Sequence, residues 1–134
     1  MTDILLRDHD KLPASCIVAP SADYKSVDPA TQVIACRGAT ALVVEVDCTA
    51  ATGTGGVTVT IKGFDEASGT YNTILASALI ATSGHTKYTV SPLIADATNV
   101  SKQAYLPPKV QITMVGSGTR TTLNYSVGAF LSTS

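Results

Sequence analysis

Tryptophan is absent from these 134 residues, and two Phe and five Tyr make up an aromatic content of only 5%. The interior must therefore be built from Val, Ile, Leu and Ala, and stacked-ring platforms of the kind that hold sugars or bases have little to be made from. Charge is scarce as well. Only 14% of residues are charged, and 9 Lys and Arg against 10 Asp and Glu leave a formal net charge of -1. Arg37, Lys62, Lys87, Lys102, Lys109 and Arg120 are scattered along the chain. A nucleic-acid or anionic-membrane partner would need a basic cluster instead. No apolar run approaches the roughly 18 residues of a membrane span. Ile4-Leu5-Leu6 is too short, and too acidic in its flanks, for a secretory signal. The expectation is a protein made and kept in the cytoplasm until it assembles.

Cysteine is nearly missing. Cys16, Cys36 and Cys48 cannot all pair with one another, and no Cys-x-x-Cys occurs. Cys48 continues the apolar phase of Leu42, Val44 and Val46, so it reads as a small buried hydrophobe. A Cys36–Cys48 bridge stays open if their strands are neighbours, although a reducing origin argues against it.

Sites of chemistry are missing in the same way. Gly53-Thr54-Gly55-Gly56 lacks the Lys-Ser/Thr end and the following helix of a phosphate loop, and reads as a flexible connection. Asp65 and Glu66 fall in a predicted hairpin turn, where Asp is favoured for backbone reasons. His85 reads as a turn residue, with no nucleophile elbow near it. Asp8-His9-Asp10 sits in an extended stretch whose successive side chains point to opposite sides, a poor arrangement for one metal ion. The residues point to no enzyme, no cofactor and no metal.

What the chain does have is alternation. Leu42-Val44-Val46-Cys48, Val57-Val59-Ile61, Val110-Ile112-Met114 and Leu123-Tyr125-Val127-Ala129-Leu131 place apolar groups at every second position, the period of a half-buried strand. Thr58, Thr60, Lys62, Gln111, Thr113, Asn124 and Ser126 fall on the outward phase. Seven strands are predicted, at about 31 to 37, 40 to 48, 56 to 63, 71 to 80, 86 to 91, 108 to 115 and 121 to 131. Turn residues at 37 to 40, 65 to 70 and 116 to 119 read as hairpins. The spacing predicts an all-β chain, a single antiparallel β-sandwich of jelly-roll or immunoglobulin-like type with about 7-8 strands. The segment from Ile94 to Tyr105 reads as a loop.

Residues 1-30 differ. Pro13, Pro20 and Pro29 interrupt both helix and sheet, so this part reads as an extended N-terminal arm with a possible first strand at 14 to 19, followed by a sandwich domain at 31-134. The apolar tip would be costly to leave in water. Ile4, Leu5, Leu6, Arg7, Asp8 and His9 are accordingly the candidate assembly contacts, the charged ones through salt bridges between subunits.

Four stretches carry a family likeness: Gly-Val-Thr-Val-Thr-Ile-Lys-Gly-Phe-Asp at 56 to 65, Gly-Thr-Tyr-Asn-Thr-Ile-Leu at 69 to 75, Leu-Pro-Pro-Lys-Val-Gln-Ile-Thr at 106 to 113 and Asn-Tyr-Ser-Val-Gly-Ala-Phe-Leu at 124 to 131. Over roughly two thirds of its length the chain resembles the small β-sandwich virion proteins of tailed bacteriophages. The resemblance implies a capsid decoration (cement) protein on the outside of the head, often a homotrimer, whose partners are the major capsid protein and itself. A head-tail joining, tail-tube or baseplate protein is the alternative. A carbohydrate- or receptor-binding module comes third, and the missing Trp counts against it.

Overall fold

The computed structural model describes residues 3–4, 14–36 and 38–133 of the chain. Among the described residues the alternation becomes ten strands: β1 (Asp3–Ile4), β2 (Ala14–Asp23), β3 (Gln32–Ala35), β4 (Ala41–Gly53), β5 (Gly56–Asp65), β6 (Thr70–Ala76), β7 (Gly84–Ser91), β8 (Ser101–Gln103), β9 (Lys109–Ser117) and β10 (Arg120–Ser132). Among the described residues there is no helix. The expected count of 7-8 falls short because β1 and β8 are too short to show any alternation.

Two five-stranded sheets form, ordered β1-β3-β9-β5-β6 and β2-β10-β4-β7-β8. Leave out β1 and β8 and number the other eight strands from β2 onward: one sheet then reads 1-8-3-6 and the other 2-7-4-5. This is the strand order of a jelly roll, the first of the two expected sandwich types. Pairing is antiparallel throughout except at two edges, where β1 runs parallel to β3 and β8 parallel to β7.

The core lies between the sheets. On β4, Leu42 and Val44 stand in register with Val90 and Tyr88 of β7 on one side and with Leu131 and Ala129 of β10 on the other. Across the sandwich, Val59 and Ile61 of β5 pair with Met114 and Ile112 of β9. All of these are buried in one cluster. Full burial of a Val, Leu or Ile side chain is worth about 1.5–3 kcal/mol, so the alternating aliphatic positions carry most of the core, with Tyr88 and Tyr125 buried among them against the expectation of an interior of Val, Ile, Leu and Ala alone.

Three expectations change. The boundary at residue 30 moves to Ala14, because β2 is a full strand of the second sheet, paired to β10 from Ala14 to Asp23. Pro20 is tolerated there because β2 lies at the sheet edge, where a missing N–H costs no ladder bond. The turns at 37 to 40 and 116 to 119 are not hairpins: each carries the chain from one sheet to the other, leaving 65 to 70 as the one hairpin of the three. Lastly, the glycine-rich connection is pinned. Thr54 and Gly55 donate their N–H groups to Thr119 O at 2.9 and 2.8 Å, and a Cβ on Gly55 would run into the Ser117 carbonyl and the Gly118 backbone.

Candidate assembly surface

Of the six candidate contacts, Ile4 falls in β1, where it stands opposite Ile34, with Asp3 opposite Val33. Leu5, Leu6, Arg7, Asp8 and His9 lie outside the described residues.

A second surface forms where sequence reasoning placed nothing. On the outer face of the second sheet, Ile17 of β2 pairs with Gly128 of β10, and Gly128 pairs with Glu45 of β4. Two positions along β10, Phe130 pairs with Ser15 on one side and Val43 on the other. Register thus makes Ile17, Gly128, Phe130 and Val43 one contiguous apolar patch, in which Ile17 is 72% and Phe130 38% exposed. Gly128 adds no side chain, so the patch has a shallow floor between them. Its polar rim is Ser15, Glu45, Lys87 and Thr89. Glu45 Oε1 lies 3.3 Å from His85 Nε2 and 3.6 Å from Lys87 Nζ. His85 is therefore a strand residue on β7, not the expected turn residue. An apolar sheet patch with a polar rim is the usual form of a protein-binding surface.

This patch sits at the end of the sandwich where β2 begins; the long connection 92–108 leaves β7 at that end, runs back beside Gly84 and Thr86, and returns as β8 parallel to β7. That connection is held by its own polar groups. Ser101 Oγ donates to Ala95 O at 2.7 Å, Gln103 N to Asp96 Oδ1 at 2.6 Å, and Gln103 Nε2 to Pro92 O at 3.3 Å. Asn99 takes a positive φ of 59° in the turn before β8, a conformation that Asn tolerates better than most residues. Against this ordered frame Leu93 and Tyr105 stand out, 77% and 82% exposed. Long loops that are internally bonded and surface-exposed are a common location for binding residues.

The opposite end is closed by polar contacts, although Val27 and Leu79 are exposed there. Arg120 Nη1 donates to Asp28 Oδ1 at 3.1 Å and to Tyr24 O at 3.3 Å, and Gly116 N donates to the same carboxylate oxygen at 3.0 Å. The Tyr24 and Tyr125 rings lie 4.7 Å apart beside them. Burial is the main cause that raises the Tyr125 phenol above its ordinary value, with the Asp28 carboxylate second.

Asp65 accepts from Ser68 Oγ at 2.9 Å and Ala67 N at 3.0 Å, and these bonds hold its exposed carboxyl below the usual range. All three cysteines are free, so Cys36 and Cys48 form no bridge, and both are buried. Burial pushes the Cys16 thiol up to about 11 and the Cys36 thiol up to about 12. Thiols held neutral in this way are poor nucleophiles. A concavity between 78–84 and 98–100 is lined by Thr82, Ser83, Thr86, Thr98 and Asn99 together with Ala78, Leu79 and Tyr88. Among the described residues no group of three His, Cys, Asp or Glu could hold a metal ion.

No protein-family model matches the chain, and no curated protein matches it either.

Ile17, Val43 and Phe130 did leave a signal in the sequence. Each is an apolar residue on the outward phase of its strand: Val43 between Leu42 and Val44, Phe130 between Ala129 and Leu131, and Ile17 before Val18. An outward apolar residue is invisible when the alternation is read only for its inward phase.

Proposed function

We propose that this chain is a non-enzymatic structural protein of a tailed-bacteriophage virion, a capsid decoration protein that binds the outside of the head and stabilises it by bridging capsomers. The observation that carries this reading is the contiguous patch of Ile17, Gly128, Phe130 and Val43. A soluble domain with few charges gains by covering such a patch, and an apolar centre with a polar rim suits a protein partner rather than a small molecule. The resemblance of the four sequence stretches names the partner class, and the jelly roll is a fold of capsid and lectin domains alike. Because fold alone does not assign function, the patch and the resemblance carry the argument together.

In this reading the patch and the Leu93 and Tyr105 tips meet the major capsid protein or a neighbouring copy, and the assembled form is a homotrimer on the capsid surface. The chain needs no cofactor and engages neither nucleic acid nor membrane. The test is to add the purified protein to undecorated heads of the parent phage and image them. Density spread over the outer shell is the expected result. Attachment at the tail vertex alone would move the protein to the head-tail joining or tail alternatives, and no attachment would remove the reading.

A further inference from the structure

β8 runs beside β7 only at Thr89, Val90 and Ser91, so among the described residues Gly84 to Tyr88 have no neighbouring strand on that side. Beside this margin lies the concavity between 78–84 and 98–100, of about 350 Å³. Both of its walls are fixed by backbone bonds. Ile80 exchanges two with Val57 of β5, at 2.8 and 3.0 Å, and Val100 N and Ser101 N both donate to Ala97 O at 3.0 Å. The space is therefore preformed, as ligand sites usually are.

Six polar side chains line it: Thr82, Ser83, Thr86, Tyr88, Thr98 and Asn99. Among the described residues none of the six makes a side-chain hydrogen bond. Tyr88 gives this its weight. It is 5% exposed and belongs to the core cluster, yet its oxygen is not among the fully buried polar atoms without a partner, which are Arg120 Nε and Tyr125 Oη. The Tyr88 hydroxyl thus keeps access to the surface, and the surface that Tyr88 lines is this concavity. A phenol buried to this extent normally has a hydrogen-bond partner. Here the partner must enter through the concavity.

None of the lining residues is charged, which disfavours a phosphate or a carboxylate. Five hydroxyls and an amide both donate and accept, so the ligand that answers them carries neutral groups that do the same. Leu79, Ile80 and Val100 supply apolar surface between these groups, a match for the C–H face of a sugar ring. We propose that the concavity binds a neutral saccharide, with Tyr88, Thr86 and Asn99 bonding its hydroxyls. Binding rests on hydrogen bonds and aliphatic contact instead of a stacked ring, so it is weak. The concavity takes the inward phase of β7, Gly84, Thr86 and Tyr88, whereas the rim of the apolar patch takes the outward Lys87 and Thr89. Sugar and assembly partner therefore use different faces.

Titration of the isotope-labelled full-length chain with the methyl glycosides of glucose, galactose and N-acetylglucosamine, followed by amide chemical shifts, tests the site. Saturable shifts confined to residues 78–88 and 97–101 with at least one glycoside are the expected result. Tyr88→Phe removes a single oxygen and should weaken binding about two- to tenfold, the worth of one hydrogen bond. Should that variant not fold, Asn99→Gly takes its place, because the φ of 59° suits glycine, and the same loss is expected. A neutral polysaccharide of whichever sugar binds forms a second arm. Its binding assigns the site to sugars within a chain, and its failure to bind assigns the site to free or terminal sugars. No saturable shift with any glycoside, shifts elsewhere in the chain, equal shifts with glycerol at the same concentration, or undiminished affinity in the folded variant overturns the proposal. The titration reads sugar binding alone, so it fails or succeeds independently of binding to heads.

Discussion

Arg120 and Asp28 lie 92 residues apart in the chain and meet at 3.1 Å between Nη1 and Oδ1. The Arg120 side chain is only 15% exposed, and the same Asp28 oxygen accepts the Gly116 N–H. One carboxylate therefore ties the connection after β2 to both strands of the β9–β10 corner. Asp28→Ala leaves the Gly116 N–H without its acceptor and a largely buried guanidinium with the Tyr24 carbonyl in place of a carboxylate, which costs about 1–3 kcal/mol. A lower urea midpoint with an unchanged slope is the expected measurement, and an unchanged midpoint would show the contact to be idle.

Gly55 and Gly69 separate two reasons for glycine. Gly69 has a φ of 70° and open space where a Cβ would go, so Gly69→Ala meets backbone strain alone, about 1 kcal/mol. Gly55→Ala drives a methyl into the Ser117 carbonyl and the Gly118 backbone, and forced overpacking costs about 1–3 kcal/mol. Thermal midpoints should fall further for Gly55→Ala than for Gly69→Ala. The reverse order would mean that the β4–β5 connection yields easily.

The three thiols should be silent in the folded protein. Burial raises Cys16 to about 11 and Cys36 to about 12, and it raises Cys48 as well. At pH 8 a thiol-specific label should react slowly with Cys16 at most, and with all three cysteines in urea. A raised folded pKa favours the protonated folded state. This contribution to stability is full below the unfolded thiol value of about 8.5 and is lost as pH rises through about 11 to 12. Stability measured by urea titration should accordingly decline with pH above about 8.5. Rapid labelling of two thiols in the native state would contradict the burial.

Strand positions were legible because alternation records which way each side chain faces. It does not record which strand lies alongside. The residues at 37 to 40 and at 116 to 119 have hairpin chemistry, yet β3 and β9 lie in one sheet while β4 and β10 lie in the other. Both partners of such a turn bury one face toward the same core, so their patterns match those of a hairpin. Pro20 hid the second half of β2, because a proline demotes a strand unless its edge position is known. The patch was half visible: Val43 and Phe130 stand out of phase within strands that were otherwise read correctly, but only the register across β2, β10 and β4 brings them beside Ile17.

The apolar patch is what the account depends on, and co-sedimentation with undecorated heads tests it most directly. Ile17→Ser removes apolar surface that is 72% exposed and Phe130→Ser a ring that is 38% exposed, so the purified variant loses some packing but should keep a cooperative thermal transition. The native protein should pellet with the heads to saturation, and the folded double variant should stay in the supernatant with its affinity reduced at least tenfold. Equal binding of the native and variant proteins would contradict the account and leave the patch without a role in attachment.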